Sequence, residues 1–475
     1  MDLPALREFQ ERNAFEWLRR QRMGFAWQPG LGKTRATQYA LSMLPEARRV
    51  LICAPKRVAR MVWPAEAARW GHIPMEQMHI LGADDFALTT KEPEKKPRGW
   101  SPGELVFEDV KVTRKHLRTL LENYRYIICP WQPWLYWLAL ALGDRPIFDT
   151  VVWDESAFVG NKTTRVWQSA RHFVKWAHWR LALNGTPYTG NWESLFAQSY
   201  LLDQGKTFGY TLGDFRSEYL RPARYGPSGR VLEYGNPSDD QRRRLEEGFL
   251  KLWVPLKAAD YLQMPALFIN DVRVALPLKA YDAVSRVVRG LLASVEGKNI
   301  LPASAGVGVN KAAQICNGWV YDDDKQTIEV HLEKLEALEE LIGQTQGGIL
   351  LFYQYNHEYA AIRECLGTSC AGIDEHGAVD AWHSGALRVL CSHPRRAAVG
   401  LNLQGGGFTQ VWFGPTYDSF LWEQGVARTY RAGQQSERVV VHRIISNHPF
   451  EQRVIDVCEG KLSLLDALMS LKGEV

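Results

Sequence analysis

The chain has 475 residues, 46% of them hydrophobic and 23% charged, with a formal net charge of +4. It shows no apolar run long enough for a membrane span and no signal-peptide pattern at its start, so a membrane or secreted protein is not expected. At about 150 residues per domain the length implies two or three domains, and the modest charge permits nucleic acid binding without naming it.

The seven cysteines (Cys53, Cys129, Cys316, Cys365, Cys370, Cys391 and Cys458) are scattered, odd in number and without CxxC spacing. Reduced, buried thiols are expected in place of disulfides or a zinc site.

In chain order, RQRMGFAW (20–27) reads as a modest strand and RATQYALSML (35–44) as a helix. VLICAP (50–55), YRYIICP (124–130) and DTVVWDE (149–155) are short β-branched or aromatic runs, each reaching a proline or an acid, as buried parallel strands do. TRKHLRTLLENY (113–124) is helical, and TTKEPEKKPRGWSPGE (89–104) has the composition of an exposed loop. The β-α-β alternation predicts a doubly wound sheet. After a helical and loop-rich stretch at about 195–345, which includes LQMPALFINDVRVALP, a second strand set follows: GGILLFYQY, ALRVLCS, TQVWFGP and RVVVHRII. The domain boundary is expected in that middle stretch.

WQPGLGKT (27–34) offers what a phosphate loop needs. Gly30 and Gly32 let backbone N–H groups approach, Lys33 brings charge to the β- and γ-phosphates, and Thr34 offers a hydroxyl to Mg²⁺. Trp27 stands where the strict pattern has its first glycine. Taken alone, a GKT triplet also fits an ordinary helix start, so a second half is required. DTVVWDESA supplies it: Asp154 and Glu155 end an apolar strand, where ligands bind in parallel sheets. Asp154 is the expected metal holder and Glu155 the base for the attacking water.

With these residues in place the chain resembles superfamily II helicase-type ATPases, and more narrowly the Swi/Snf family of duplex DNA translocases. LREFQ (6–10) is similar to the family's adenine-recognition segment, and AWQPGLGKT to its AxxxGxGKT loop, which admits Trp27. LICAPKRVARMVWPAE resembles the segment after the second strand, DESA stands for DEAH, and LNGTPYTGN for LTGTPxxN with Asn184 in place of its threonine. LKAADYLQMP, KAAQICNG, VGLNLQGGG and WEQGVARTYRAGQ follow in family order, the last close to QxxxRxxRxGQ. His393, Pro394, Arg395 and Arg396 depart from the family's glycine-containing turn, and Pro449 replaces a threonine at an expected helix start.

The resemblance implies an α/β fold of two RecA-like (P-loop NTPase) domains with parallel sheets facing an ATP cleft, plus a helical middle region. The first domain is expected at 1–260 with a helical extension at about 195–260, the second at 261–475 with a helical insertion at about 280–345. ATP and Mg²⁺ are the implied cofactors and DNA the implied partner, duplex ahead of single strands. Gln10, Gly400 and Gln424 join the nucleotide contacts. Arg428 and Arg431, three apart and expected on one helical face, would stabilise charge on the departing γ-phosphoryl from the second domain. Lys56, Arg57, Thr186, Gln354 and Arg396 are the candidate nucleic acid contacts.

The expected protein is a monomeric motor core, acting in a bacterial or viral host cytoplasm away from membranes, for which a loading protein stays open. A strand-separating DNA or RNA helicase and a nucleotide-switched DNA clamp without productive hydrolysis are the alternatives. WQPWLYWLALAL (131–142) is read as core, Arg242–Arg244 as a solvated helix face, Asp322–Asp324 as a turn, and His376 and His383 as no metal site.

Overall fold

The computed structural model describes residues 5–46, 48–86, 114–185, 187, 192–226, 228–296, 302–322, 324–397 and 403–459. The loop expected at 89–104 lies outside them. The chain separates into two compact units, Met1–Lys257 and Ala258–Val475.

The first unit opens with α1 (Glu8–Arg20), β1 (Arg22–Trp27) and α2 (Lys33–Ser42). Next come β2 (Val50–Ala54), α3 (Trp63–Trp70), β3 (Met78–Ile80), α4 (Arg114–Asn123), β4 (Tyr126–Pro130), α5 (Trp134–Leu142) and β5 (Thr150–Asp154). α6 (Arg165–Phe173), β6 (Trp179–Asn184), α7 (Trp192–Asp203) and α8 (Leu212–Tyr219) follow. A hairpin of β7 (Pro222–Tyr225) and β8 (Val231–Tyr234), then α9 (Asp239–Leu252) and β9 (Trp253–Leu256), complete it.

Seven of these strands form one sheet in the order β3-β4-β2-β5-β6-β1-β9, and every pairing is parallel. VLICA, YIICP and TVVWD are buried along their whole length, which is why their apolar runs are unbroken: helices cover both faces of a parallel sheet. β1 lies between β6 and the edge strand β9, and its Gly24 clears room for the Trp253 ring. A Cβ there would come within 2.1 Å of it. Trp134 and Trp137 of α5 are buried in the main core with Leu135 and Leu138, so the tryptophan-rich run is packing.

The second unit begins with β10 (Ala266–Val274), α10 (Leu278–Glu296), α11 (Pro302–Asn317), the small antiparallel pair β11 (Trp319–Tyr321) and β12 (Thr327–Glu329), and α12 (Glu333–Gln344). β13 (Ile349–Phe352), α13 (Asn356–Leu366), β14 (Cys370–Gly372), α14 (Ala378–His383), β15 (Val389–Ser392) and α15 (Pro394–Ala397) follow. Last come β16 (Thr409–Trp412), α16 (Ser419–Val426), β17 (Arg438–Ser446) and α17 (Pro449–Cys458). The sheet order is β10-β17-β16-β13-β15-β14, again all parallel.

ALFINDVRV corrects the sequence reading. It is no part of a helical connection but the edge strand β10, paired residue for residue with β17. Its polar Asn270, Asp271 and Arg273 and its 51% exposed Phe268 hide the strand pattern, because an edge strand has no continuous apolar burial to advertise it. Pro449 does open α17, whose N-terminal Phe450 N–H is capped by His448 Nδ1 at 3.1 Å.

Candidate active site

Because the strands of the first sheet are parallel, the loops after β1, β2, β5 and β6 leave from one rim. That rim is where doubly wound sheets bind ligands.

β1 ends at Trp27, whose buried ring stacks on Phe25 at 4.3 Å and meets Phe9 edge-on at 5.7 Å. The side chain that breaks the strict glycine pattern thus points into the domain and leaves the loop to its backbone. Gly30 at φ 90° and Gly32 at φ 75° take left-handed conformations that strain other residues. They deliver the chain to α2, with Lys33 and Thr34 as its first two residues. Lys33 Nζ donates to the Trp27 carbonyl at 2.7 Å. Gln10 braces the loop from α1: its Nε2 donates to the Leu31 carbonyl at 2.8 Å and its Oε1 accepts the Arg7 N–H at 3.0 Å. A Cβ on Gly32 would come within 2.4 Å of that amide nitrogen, so only glycine allows the contact.

At the end of β5 the Asp154 carboxylate is buried. Oδ2 accepts the Trp63 indole N–H at 2.8 Å and Oδ1 the Glu155 N–H at 3.0 Å. Burial and the neighbouring Glu155 charge push its pKa up to about 7, against the pull of the Trp63 hydrogen bond and the Lys33 charge. A buried acid in that position gains from a nearby cation. Glu155 has φ 51°, a left-handed backbone costing about 1–2 kcal/mol for such a residue; strain of this kind gathers at functional sites.

Two side chains that the sequence reading left out hold these parts together. Trp63, fully buried at the start of α3, takes the Gln38 Nε2 of α2 on its carbonyl at 3.0 Å while its ring holds Asp154. Gln198 of α7 accepts from Ser156 Oγ at 2.7 Å and from Asn184 Nδ2 at 2.9 Å, and donates to the Pro187 carbonyl at 2.8 Å. It therefore ties the DES turn to the NGTP segment, and Asn184, the departure from the family's threonine, is one of its partners. The signal for either residue is a polar or indole group in an otherwise apolar helix, and nothing local says what it meets.

Among the expected polymer contacts of this unit, Lys56 is exposed and Arg57 half-buried, just after β2 and ahead of a wide π-helical turn at Val58–Val62 that leads into Trp63. Thr186 lies outside the described residues.

In the second unit Arg428 is buried, with Nε on the Gln424 carbonyl and Nη2 on Gln424 Oε1, both at 2.8 Å. The helix expected to carry the two arginines stops at Val426. Arg428 and the half-buried Arg431 instead occupy successive turns, with Arg428 N–H on Gly425 at 3.0 Å and Arg431 N–H on Thr429 at 3.1 Å. Gln410 of β16 donates to Gly425 and Val426 at 3.0 Å and to Thr429 Oγ1 at 2.7 Å, and Gln434 donates to Thr429 at 3.1 Å. Gly400 lies outside the described residues.

Gln354, after β13, donates from Nε2 to the Pro415 carbonyl at 2.5 Å, and its N–H meets Glu358 Oε2 at 2.7 Å. Arg396 is exposed and ion-paired with Asp374. Behind Gln354 lies a buried polar chain unread in the sequence. Glu358 Oε1 accepts from Asn317 at 2.6 Å, while Lys334 Nζ reaches Asn317 at 2.8 Å and Glu451 at 2.7 Å. Burial pushes Glu358 up to about 7.

The remaining surface readings stand on contacts. Arg243 pairs with Asp240 at 2.5 Å on the α9 face, and Asp322 Oδ1 accepts the Gln326 N–H at 2.8 Å in a turn. Among the described residues no helix is long and apolar enough to cross a membrane, and no cluster of three or more His, Cys, Asp and Glu could hold a metal.

The architecture is that of an α/β protein with two parallel, RecA-like sheets. Comparison with known proteins shows what the chain is similar to. No protein-family model matches it. It is 26% identical over 459 residues to "Putative protein p41" of Acyrthosiphon pisum secondary endosymbiont phage 1, covering 93% of this chain and 92% of that protein. It is 22% identical over 489 residues to the CHD3-type chromatin-remodeling factor PICKLE of Arabidopsis thaliana, covering 95% of this chain but 33% of PICKLE. The solved Sulfolobus solfataricus SWI2/SNF2 ATPase core in complex with dsDNA aligns over 95% of this chain and 90% of its own, at 16% identity and a TM-score of 0.41.

Proposed function

We propose that the chain hydrolyses ATP to move along or remodel duplex DNA. The observation that carries this reading is the grouping on one rim of a braced phosphate loop and a buried Asp154 clamped beside Glu155.

Lys33 meets the β- and γ-phosphates. Thr34 and Asp154 offer the hard oxygen donors that suit Mg²⁺, which takes few protein ligands and completes its shell with water and phosphate. The metal, when bound, screens phosphate charge. Gln10 keeps the loop in shape and presents its remaining amide N–H to the base. Glu155 accepts a proton from the attacking water as the water oxygen bonds to the γ-phosphorus and the bond to the β-phosphate oxygen breaks. ADP and phosphate leave, and the proton passes to solvent.

Arg428 and Arg431 act on the same triphosphate, in line with the family resemblance, and Gln424 aims Arg428. Since these arginines and Lys33 belong to different units, ATP favours the arrangement that engages both sets, and hydrolysis removes that preference. Lys56, Arg57, Thr186, Gln354 and Arg396 are assigned to the polymer backbone, which serves a motor because phosphate contacts carry no sequence information. The phage relative fits action in a bacterial or phage-infected cytoplasm.

The test is ATP turnover with no polymer, single-stranded DNA, duplex DNA and RNA. Stimulation by duplex above the other three is expected, and equal rates in all four would overturn the proposal.

A further inference from the structure

Resting on the DNA-motor reading, we propose that the β7–β8 hairpin of the first unit is a duplex-groove contact. The hairpin is a sheet of its own, joined to neither large sheet. Two-stranded ribbons with no apolar face to bury are marginal in water. Tyr234 packs against the main core, but Tyr225 is 61% and Leu232 56% accessible. Its segment, RPARYGPSGRVLEY at 221–234, sets three arginines against one glutamate. Arg230 is exposed and makes no ion pair or side-chain hydrogen bond among the described residues. Arg221, also exposed, uses Nε to hold the base of the hairpin through the Asn236 carbonyl at 3.0 Å.

Topology puts the ribbon on the working rim. Arg216 of α8 pairs with Glu193 through two bonds of 2.7 and 3.0 Å. Glu193 stands at the start of α7, the helix whose Gln198 braces the end of β6. α9 then feeds directly into the start of β9, which runs parallel to β1. The hairpin between α8 and α9 therefore leaves from the end of the sheet that carries the phosphate loop, Lys56, Arg57 and Asp154. Its tip is closed tightly, with the Gly226 N–H on Arg230 at 2.8 Å and the Gly229 N–H on Gly226 at 3.0 Å, Gly229 taking φ 74°.

A two-stranded ribbon fits a DNA major groove about 12 Å wide. Basic residues beside the tip meet phosphates, while exposed Tyr and Leu pack against sugars or base edges. A polyanion is thus favoured over an acidic protein, whose sparse charges would leave the apolar residues to decide the contact.

The experiment measures the affinity of the full chain for a labelled duplex across a range of KCl concentrations. Arg230→Ala should raise the Kd about eightfold at about 0.1 M salt and lower the slope of log K against log salt by about 0.9, the counterion contribution of one phosphate. Arg230→Lys should restore the slope. The double variant Tyr225→Ala/Leu232→Ala should raise the Kd with the slope intact, a combination that a collapsed hairpin, which also displaces Arg230, does not give. If the wild type binds duplex and these variants match it in Kd and slope, the hairpin contact is wrong. If the wild type binds no duplex, it is the DNA-motor reading that fails.

Discussion

One charged group in each unit is secured in a different way. In the second, Arg428 is held by a residue four positions earlier, the carbonyl and carboxamide of Gln424. In the first, Asp154 is held by Trp63, separated from it by 91 residues. A local clamp forms with its own turn, whereas a distant one exists only when the sheet is assembled and the helices are packed. The indole clamp on the acid is therefore conditional on the assembled domain, while the Gln424 clamp on the arginine is not. Its neighbour Ser156 depends equally on a distant partner, Gln198, 42 residues away.

The largest test of this contrast is on the arginine side. Arg428→Ala and Arg431→Ala are each expected to lower kcat for ATP by about a thousandfold or more, the worth of a finger supplied to a departing phosphoryl group. Arg428→Lys should not rescue, because the fork that meets two oxygens of Gln424 is replaced by a point charge. A steady-state rate within tenfold of wild type for both alanine variants would remove the arginines from the chemistry. Next in size is Glu155→Gln, expected to cost about a hundred- to ten-thousandfold in turnover. Nucleotide binding, read by a fluorescent analogue, should persist. Loss of binding together with turnover would mean that Glu155 holds nucleotide and does not serve as the base.

The distant clamps also predict a pH dependence. Glu358 titrates near 7, above the ordinary range of a carboxylic acid, because it is buried. The folded protein then keeps a proton that the unfolded chain releases at lower pH. Stability from this group is complete below the unfolded pKa and is lost as pH rises through the folded value, by an amount on the order of 3 kcal/mol. Thermal melting between pH 4 and 7, compared in wild type and Glu358→Gln, should show a flatter profile in the variant. Parallel profiles would show that the Glu358 proton plays no part.

What the sequence made legible follows the same division. The strands VLICA, YIICP and TVVWD announced themselves because burial on both faces leaves an unbroken apolar run. The expected placement of Lys33 and Thr34 at a helix start and of Asp154 and Glu155 at a strand end was readable because glycines and an apolar run mark those junctions locally. β10 was not, since an exposed edge strand can carry Asn270 and Asp271, and the helix assigned to Arg428 and Arg431 stops at Val426, beside carbonyls that also accept from Gln410 of β16. Trp63, Gln198 and the Lys334–Glu451 pair, 117 residues apart, leave no local pattern. Their partners are fixed by which strands neighbour each other, and single-sequence spacing does not encode that.

Trp63→Phe has a smaller effect than the changes at Arg428, Arg431 and Glu155 and gives the sharpest comparison. The phenyl ring keeps most of the buried volume and the backbone carbonyl that takes Gln38, but removes the one N–H that reaches Asp154 Oδ2. A hydrogen bond to a charged group is worth about 1.5–3 kcal/mol, so turnover at saturating ATP and Mg²⁺ should fall about ten- to a hundredfold if the clamp sets the carboxylate's position. Gln424→Ala makes the matching cut on the other side. Arg428 keeps the backbone carbonyl bond of that clamp, so a smaller loss is expected there. Should Trp63→Phe turn over ATP like wild type while Gln424→Ala is the weaker enzyme, the ranking of distant over local support is reversed, and the arginine turn becomes the part whose placement limits the reaction.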